Sequence, residues 1–153
     1  MTDWFLESDA PLHLDHAVAA IIIVDGHGYL LQQRDNIPQI FFPDHWGLFG
    51  GAIDFGETPE AAIRRELREE LMLDVANMTH FGAISFNVAS VGRGDICRTY
   101  FEIHLTQPQV AALTLCEGAA MAVFSPEEAL TMRRVKPYDG FAIWLHHSRA
   151  RLN

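Results

Sequence analysis

Gly51-Ala52-Ile53-Asp54-Phe55-Gly56-Glu57-Thr58-Pro59-Glu60-Ala61-Ala62-Ile63-Arg64-Arg65-Glu66-Leu67-Arg68-Glu69-Glu70-Leu71-Met72-Leu73 is the most informative stretch of this chain. Its second half reads as a helix from Pro59 to about Leu71. Thr58 offers a side-chain oxygen as N-cap, and Pro59 suits the first helical position, where its missing N–H would go unbonded anyway. Ala61, Ala62, Ile63, Leu67 and Leu71 recur at helical spacing and supply an apolar face. Glu66, Glu69 and Glu70 fall at i, i+3 and i+4, within about 100° of arc on one side. Like charges placed so repel by roughly a few tenths of a kcal/mol per pair unless something positive lies between them. Two readings follow. Arg64 and Arg68 are available as surface partners, which gives a solvated, salt-bridged face. Alternatively, Glu66 and Glu70 adjoin the Leu67/Leu71 edge, where an unpaired carboxylate is costly, and a hard cation such as Mg²⁺ or Mn²⁺ sits among them.

Immediately upstream, Gly50-Gly51 permits tight backbone geometry and exposes carbonyls able to serve as further oxygen ligands. Asp54-Phe55-Gly56-Glu57 then returns another carboxylate toward the helix start. Before this, the β-branched run His16 to Val24, the punctuation Asp25-Gly26-His27-Gly28 and the run Tyr29 to Arg34 read as a hairpin. Asp35 to His45 contains two prolines and no period, and reads as a long loop. Trp46 to Ile53 is a short extended segment broken at Gly50-Gly51. After the helix, Met78 to Ala89 and Ile96 to Leu105 are strands joined by an exposed turn over Ser90 to Asp95. Ala119 to Phe124 is a further strand, Ser125-Pro126-Glu127-Glu128 opens a short capped helix, and Pro137 to Arg151 is a terminal helix packed through Phe141, Ile143, Trp144 and Leu145. Helices and strands mix without regular β-α-β alternation, so a mixed α/β sandwich is favoured over a doubly wound sheet.

Composition sets outer limits. The 153 residues suit one domain, 1–153, and no repeat or linker divides them. With 49% apolar and 20% charged residues the chain is globular, and a net charge of −9 argues against nucleic acid as a partner. Met1 to Asp9 lacks a basic leader, and the longest apolar run, Ala17 to Val24, is too short for a bilayer, so a cytoplasmic location without membrane attachment is expected. Cys97 and Cys116 have no metal-ligand spacing and read as free thiols in a reducing compartment. The eight scattered histidines form no ligand pair.

The 23-residue stretch resembles the signature of the Nudix hydrolase family (MutT-like): Gly, five residues, Glu, seven residues, Arg-Glu, an aliphatic, one residue, Glu-Glu, one residue, Gly, an aliphatic. Every fixed position matches except the last glycine, which is Met72. Gln32-Gln33-Arg34, Trp46-Gly47-Leu48 and Ser125 to Leu130 also sit where such proteins have similar residues, so the likeness runs loosely from Val18 to Leu130. It implies an α/β/α sandwich around a mixed sheet. It also implies a metal-dependent hydrolase that cleaves a pyrophosphate bond in a nucleoside diphosphate linked to another moiety, such as a nucleotide sugar or an ADP-ribose-like compound. A house-cleaning nucleoside triphosphate pyrophosphohydrolase is the alternative, and a non-catalytic nucleotide-binding sensor on the same fold is a rival that loss of a glutamate would have favoured.

By that resemblance, Glu69 and Glu70 are the principal ligands of Mg²⁺ (or Mn²⁺), and Glu66 is a further ligand or the general base. Glu57 joins directly or through water, the Gly51 carbonyl is a ligand, and Arg65 orients a carboxylate. The metals offset charge on the transferred phosphoryl group. Glu117, in the loop before Ala119, is an additional base or ligand or an ordinary turn residue. Phe49 replaces a usual proline, Asp54 a usual glutamate, and Met72 a glycine expected where a helix turns out through the left-handed region. For substrate, Phe41, Phe42 and Trp46 offer rings to a nucleotide, and Arg34, Arg93 and Arg98 offer phosphate contacts. Core packing and surface placement are the respective alternatives. A homodimer is compatible with the sequence.

Overall fold

The computed structural model of the protein describes residues 16–87, 89–92 and 94–152. Met1 to Asp9 and Arg93, which figured in the readings above, lie outside these residues.

Strands β1 (Ala17–Val24) and β2 (Gly28–Gln33) form the expected antiparallel hairpin. They pair only near the turn, at Ile23 with Tyr29 and Val24 with Gly28. Beyond that point the strands splay, and the segment from Trp46 to Ala52 fills the gap. Its first two residues, strand β3 (Trp46–Gly47), pair with Gln33 and Gln32 of β2, while Phe49 and Ala52 bridge to Ala20 and Ala17 of β1. Gly50 lies at the centre of this wedge with φ +138, and a Cβ there would overlap the Val18 carbonyl. Only glycine suits that conformation and that proximity.

Strand β5 (Asp95–Leu105) runs parallel to β1 along the whole of it, and β4 (Thr79–Asn87) lies antiparallel outside β5. Strand β6 (Ala120–Phe124) takes the other edge of β2. One parallel pair among antiparallel neighbours makes the sheet mixed.

The alternation of β1 separates the two faces. Val18, Ala20, Ile22 and Val24 meet Ala62, Ile63, Leu67 and Leu71 of helix α1 (Pro59–Leu71). Ala19 and Ile21 face Ala129 of helix α3 (Pro126–Thr131) and Ala142 and Ile143 of helix α4 (Pro137–Leu152). Each large aliphatic so buried contributes about 1.5–3 kcal/mol by leaving water. The product is the α/β/α sandwich.

Several local expectations are corrected. Ala61 is exposed, so the apolar stripe of α1 is narrower than its sequence suggests. A short helix α2 (Gln107–Ala111), held by a capping box between Thr106 and Gln109, was not anticipated because five residues carry no period. A single 3₁₀ turn (Ala89–Val91) occupies part of the β4–β5 connection. In α4 only Ile143 of the four named packing residues is fully buried, Leu145 is half-buried, and Phe141 and Trp144 are each 43% exposed. The face that packs is more polar than expected. His146 lies between the Tyr29 hydroxyl (2.8 Å) and Glu102 (3.0 Å), so its burial leaves no ring nitrogen unsatisfied. Cys97 is buried, Cys116 is exposed, and the two are not bonded. Among the described residues no helix is long and apolar enough to cross a membrane.

Candidate functional site

The site is set by both ends of α1. At its start the Ala61 amide donates to Thr58 Oγ1 (3.2 Å), and Pro59 occupies the first turn. At its end Met72 adopts φ 52, ψ 32 and donates its amide to the Arg68 carbonyl (3.0 Å). The turn that glycine normally makes is therefore made by a side-chain-bearing residue, which points into solvent at 70% exposure.

Arg64 and Arg68 do not pair with the glutamates. Arg64 donates to the Val75 carbonyl, and Arg68 bonds Asp74. Arg65 fills the role instead. Its Nε and Nη2 grip both oxygens of Glu57 (3.1 and 2.9 Å), Nη2 also donates to the Ala52 carbonyl (2.9 Å), and Nη1 reaches Glu66 (2.7 Å) and Glu69 (3.3 Å). Asp54 adds a carboxylate 3.7 Å from Nε. One planar fork thus ties the loop 52–57 to the helix, a geometry that lysine cannot reproduce. The Arg65 bond holds the Glu57 carboxyl below its ordinary range, and Glu57 and Glu66 hold the guanidinium above its own.

The three helix glutamates span the boundary between core and solvent rather than sharing one environment. Glu69 is outermost, with its side chain 57% exposed. Glu66 is half-buried against Gly51, where a Cβ would come within 2.5 Å of its Oε1. Burial raises the Glu66 carboxyl, with Arg65 opposing. Glu70 is buried at 4% exposure. Its Oε2 accepts from the Gly50 amide (2.9 Å) and its Oε1 from Gln32 Nε2 (3.3 Å). Burial pushes the Glu70 carboxyl up to about 7; the Gly50 amide works against this, and the charges of Glu66 and Glu117 add to it. Glu117 itself is exposed in the loop before β6, and its carbonyl accepts from Gln32 (2.9 Å). The Gly51 carbonyl accepts from the Val18 amide (2.9 Å) and keeps a second lone pair.

Among the described residues no three His, Cys, Asp or Glu side chains converge on one point. Arg65 and Gly50 hold the carboxylates apart. The donor chemistry nevertheless fits a hard divalent cation, since it is all oxygen and includes a carboxyl raised by burial and, further, by neighbouring negative charge. Binding requires Glu69 and Glu66 to turn away from Arg65, which is cheap for the exposed Glu69.

On the far side of Gly50-Gly51 an open cleft of about 460 Å³ is lined by Arg34, Phe41, Gly50, Gly51, Ala52, Arg98, Lys136 and Tyr138, among others. Of the rings proposed from sequence, Phe41 lines this cleft. Phe42, at φ 51, packs against His45 and Tyr138 (centroids 5.5 and 5.9 Å). Trp46 lies edge-on to Phe124 (4.8 Å) in the core beneath α3 and α4, which returns it to packing. Arg98 is buried rather than on the surface. Lys136, Tyr138 and Asp139 escaped sequence reading altogether, although Lys136 and Asp139 at i, i+3 at a helix start were a visible signal.

Comparison with known proteins bears on the fold and the family. A Mycobacterium tuberculosis protein provisionally named 8-oxo-dGTP diphosphatase 2 is 37% identical over 92 residues, 60% of this chain and 62% of that protein. Nucleoside triphosphatase NudI of Salmonella agona is 44% identical over 54 residues, 35% of this chain and 37% of its own length. Both matches span less than two thirds of the relative. A MutT protein from Methanosarcina mazei Go1 has the same fold, with a TM-score of 0.72 at 20% identity over 90% of this chain and 94% of that one. So does the NUDIX domain of Shewanella oneidensis NrtR, solved with ADP ribose: TM-score 0.68, 22% identity, 90% of this chain and 87% of that one. The NUDIX domain model matches residues 14–145, and the chain belongs to that family.

Proposed function

We propose that the protein is a metal-dependent pyrophosphohydrolase acting on a small nucleotide derivative. The observation that carries this reading is the carboxylate set Glu57, Glu66, Glu69 and Glu70, organised by Arg65 against the Gly50-Gly51 backbone within a NUDIX domain. Glu66, Glu69 and Glu70 would hold Mg²⁺ or Mn²⁺, with Glu57 and the Gly51 carbonyl as further oxygen donors. When bound, the metal supplies positive charge to the phosphoryl oxygens and acidifies water. Arg65 is a positioning residue: its two-pronged hold on Glu57 fixes the loop 52–57 against the helix, and its Nη1 bonds Glu66 and Glu69 on the same side of it. Glu66, whose carboxyl burial raises, is suited to accept the proton from attacking water if it does not ligate the metal. Glu117 is a further proton acceptor or ligand from the facing loop.

Two substrate readings stand. A nucleoside diphosphate linked to another moiety, such as a sugar, is supported by a 460 Å³ cleft with Phe41 and Tyr138 in its walls. A nucleoside triphosphate is supported by the names of the two relatives. Product analysis over a panel of both classes, with Mg²⁺, with Mn²⁺ and with chelator, tests the activity and chooses between them. Hydrolysis is expected only with metal. Glu69→Gln and Glu70→Gln should lower kcat by about 10²-fold or more with the fold intact. Near-normal turnover in both variants would remove the metal assignment.

A further inference from the structure

We propose that the Arg34, Arg98 and Lys136 end of the cleft is a phosphate-binding site, distinct from the glutamate cluster, that takes a phosphate group beyond the two flanking the scissile bond. The inference deepens the hydrolase reading and rests on it for the word substrate, but the site itself stands on its own geometry.

Arg98 and Lys136 are 6% and 2% exposed, and one buried carboxylate, Asp139, serves both. One oxygen of Asp139 is already occupied: Oδ2 takes Lys136 Nζ (2.9 Å) and the Leu48 amide (3.0 Å). Arg98 comes no nearer than 3.7 Å to Asp139 Oδ1, beyond a hydrogen bond, and its Nη2 donates to the Val18 carbonyl at a long 3.3 Å. Among the described residues, Arg98 Nε, Arg34 Nε and Asp139 Oδ1 are buried without a hydrogen-bond partner. Two more acids lie near. Asp95 is exposed at the rim of the cleft, and Glu70 lies behind Gly50, bonded to the Gly50 amide and Gln32. A buried guanidinium left short of acceptors is costly, and the cost falls when an anion supplies them. Two guanidinium groups and an ammonium match a tetrahedral oxyanion with several acceptor oxygens better than a single carboxylate. Tyr138 lies under the Arg98 guanidinium, its ring centroid 4.9 Å from the central carbon, and both side chains line the cleft.

Two sources would present such a phosphate: the third phosphate of a nucleoside triphosphate, or a phosphomonoester on the moiety attached to a nucleoside diphosphate. The first test uses inorganic phosphate on the full chain in chelator, where unneutralised glutamates repel anions and only the cationic end attracts them. At constant ionic strength, phosphate replacing chloride should raise Tm, and calorimetry should show one site. Arg34→Gln, at a half-buried position, and Arg98→Lys, which keeps the charge but loses the fork, should fold and lose most of the phosphate effect. No phosphate-specific shift in the wild type, or an undiminished shift in a folded Arg34→Gln protein, overturns the site.

The second test measures KM with Mg²⁺ for a nucleoside triphosphate, a sugar-linked diphosphate and the same diphosphate bearing a phosphomonoester. Arg34→Gln should raise KM about tenfold only for the compound whose extra phosphate uses the site. An equal rise for all three compounds overturns it. Phosphate binding through Arg34 with no hydrolysis of any compound would sink the enzyme reading alone, whereas hydrolysis without a phosphate effect would sink this site alone.

Discussion

Glu70 has opposite requirements in the metal-free and metal-loaded protein. Buried and surrounded by Glu66 and Glu117, its carboxyl rises to about 7 from an ordinary 4.5. A raised carboxyl costs nothing below pH 4.5, costs progressively more between 4.5 and 7, and carries its full penalty above 7. In chelator, Glu70→Gln should therefore stabilise the protein at pH 8 and not at pH 4. The gain is bounded by about 3 kcal/mol and reduced by the new amide facing Gln32. Equal Tm differences at both pH values would contradict the burial argument. Met72 offers a second residue-scale test. Its left-handed backbone (φ 52) costs a non-glycine residue roughly 1–2 kcal/mol, and glycine gives back roughly half of that in chain entropy. Met72→Gly should raise stability by up to about 1 kcal/mol in thermal unfolding; a loss would mean that the exposed Met72 side chain stabilises the fold by other means. At this scale the motif was legible because fixed spacing identifies residues. The partners of the charges were not. Arg64, Arg65 and Arg68 are alike in sequence, and only the loop 52–57 folding back onto the helix selects Arg65.

Among the elements, β1 and α1 were readable because a continuous apolar run and a capped stripe each admit one conformation. Helix α4 was read in extent but not in facing. Its buried positions include Asp139, His146 and Ser148, and the first two find partners remote in sequence, Asp139 at the Leu48 amide and His146 at Tyr29 and Glu102. Glu102 of β5 is the main partner at the C-terminal end of α4. It bonds His146 (3.0 Å), Arg149 (2.7 Å) and His104 (2.8 Å). Burial works to raise its carboxyl, but these three bonds outweigh it and bring the value down to about 2. A depressed carboxyl contributes stability above its unfolded value near 4.5 and loses it as pH falls toward 2. Glu102→Gln should therefore cost about 1–3 kcal/mol at pH 7 in denaturant unfolding and progressively less below pH 4.5. A cost independent of pH would assign Glu102 a packing role instead.

For the whole molecule, the sandwich followed from element order and family likeness, whereas the splayed hairpin did not. No local signal in β1 or β2 announces that their pairing stops after two residue pairs. The decisive contacts come from Phe49 and Ala52, far along the chain. That arrangement has a mechanical consequence. Helices α1 and α4 lie on opposite faces of the sheet, yet each sends one buried carboxylate to the same short segment: Glu70 to the Gly50 amide and Asp139 to the Leu48 amide. The wedge is thus a crossbeam clamped from above and below, and a load on either clamp must be felt at the other. By thermodynamic reciprocity, cation binding at Glu70 and anion binding beside Asp139 should each alter the affinity of the other. Mg²⁺ titration followed by amide NMR reads the transmission directly. The Leu48 and Gly50 resonances should move with one midpoint, and a silent Leu48 would mean that the beam does not carry the load.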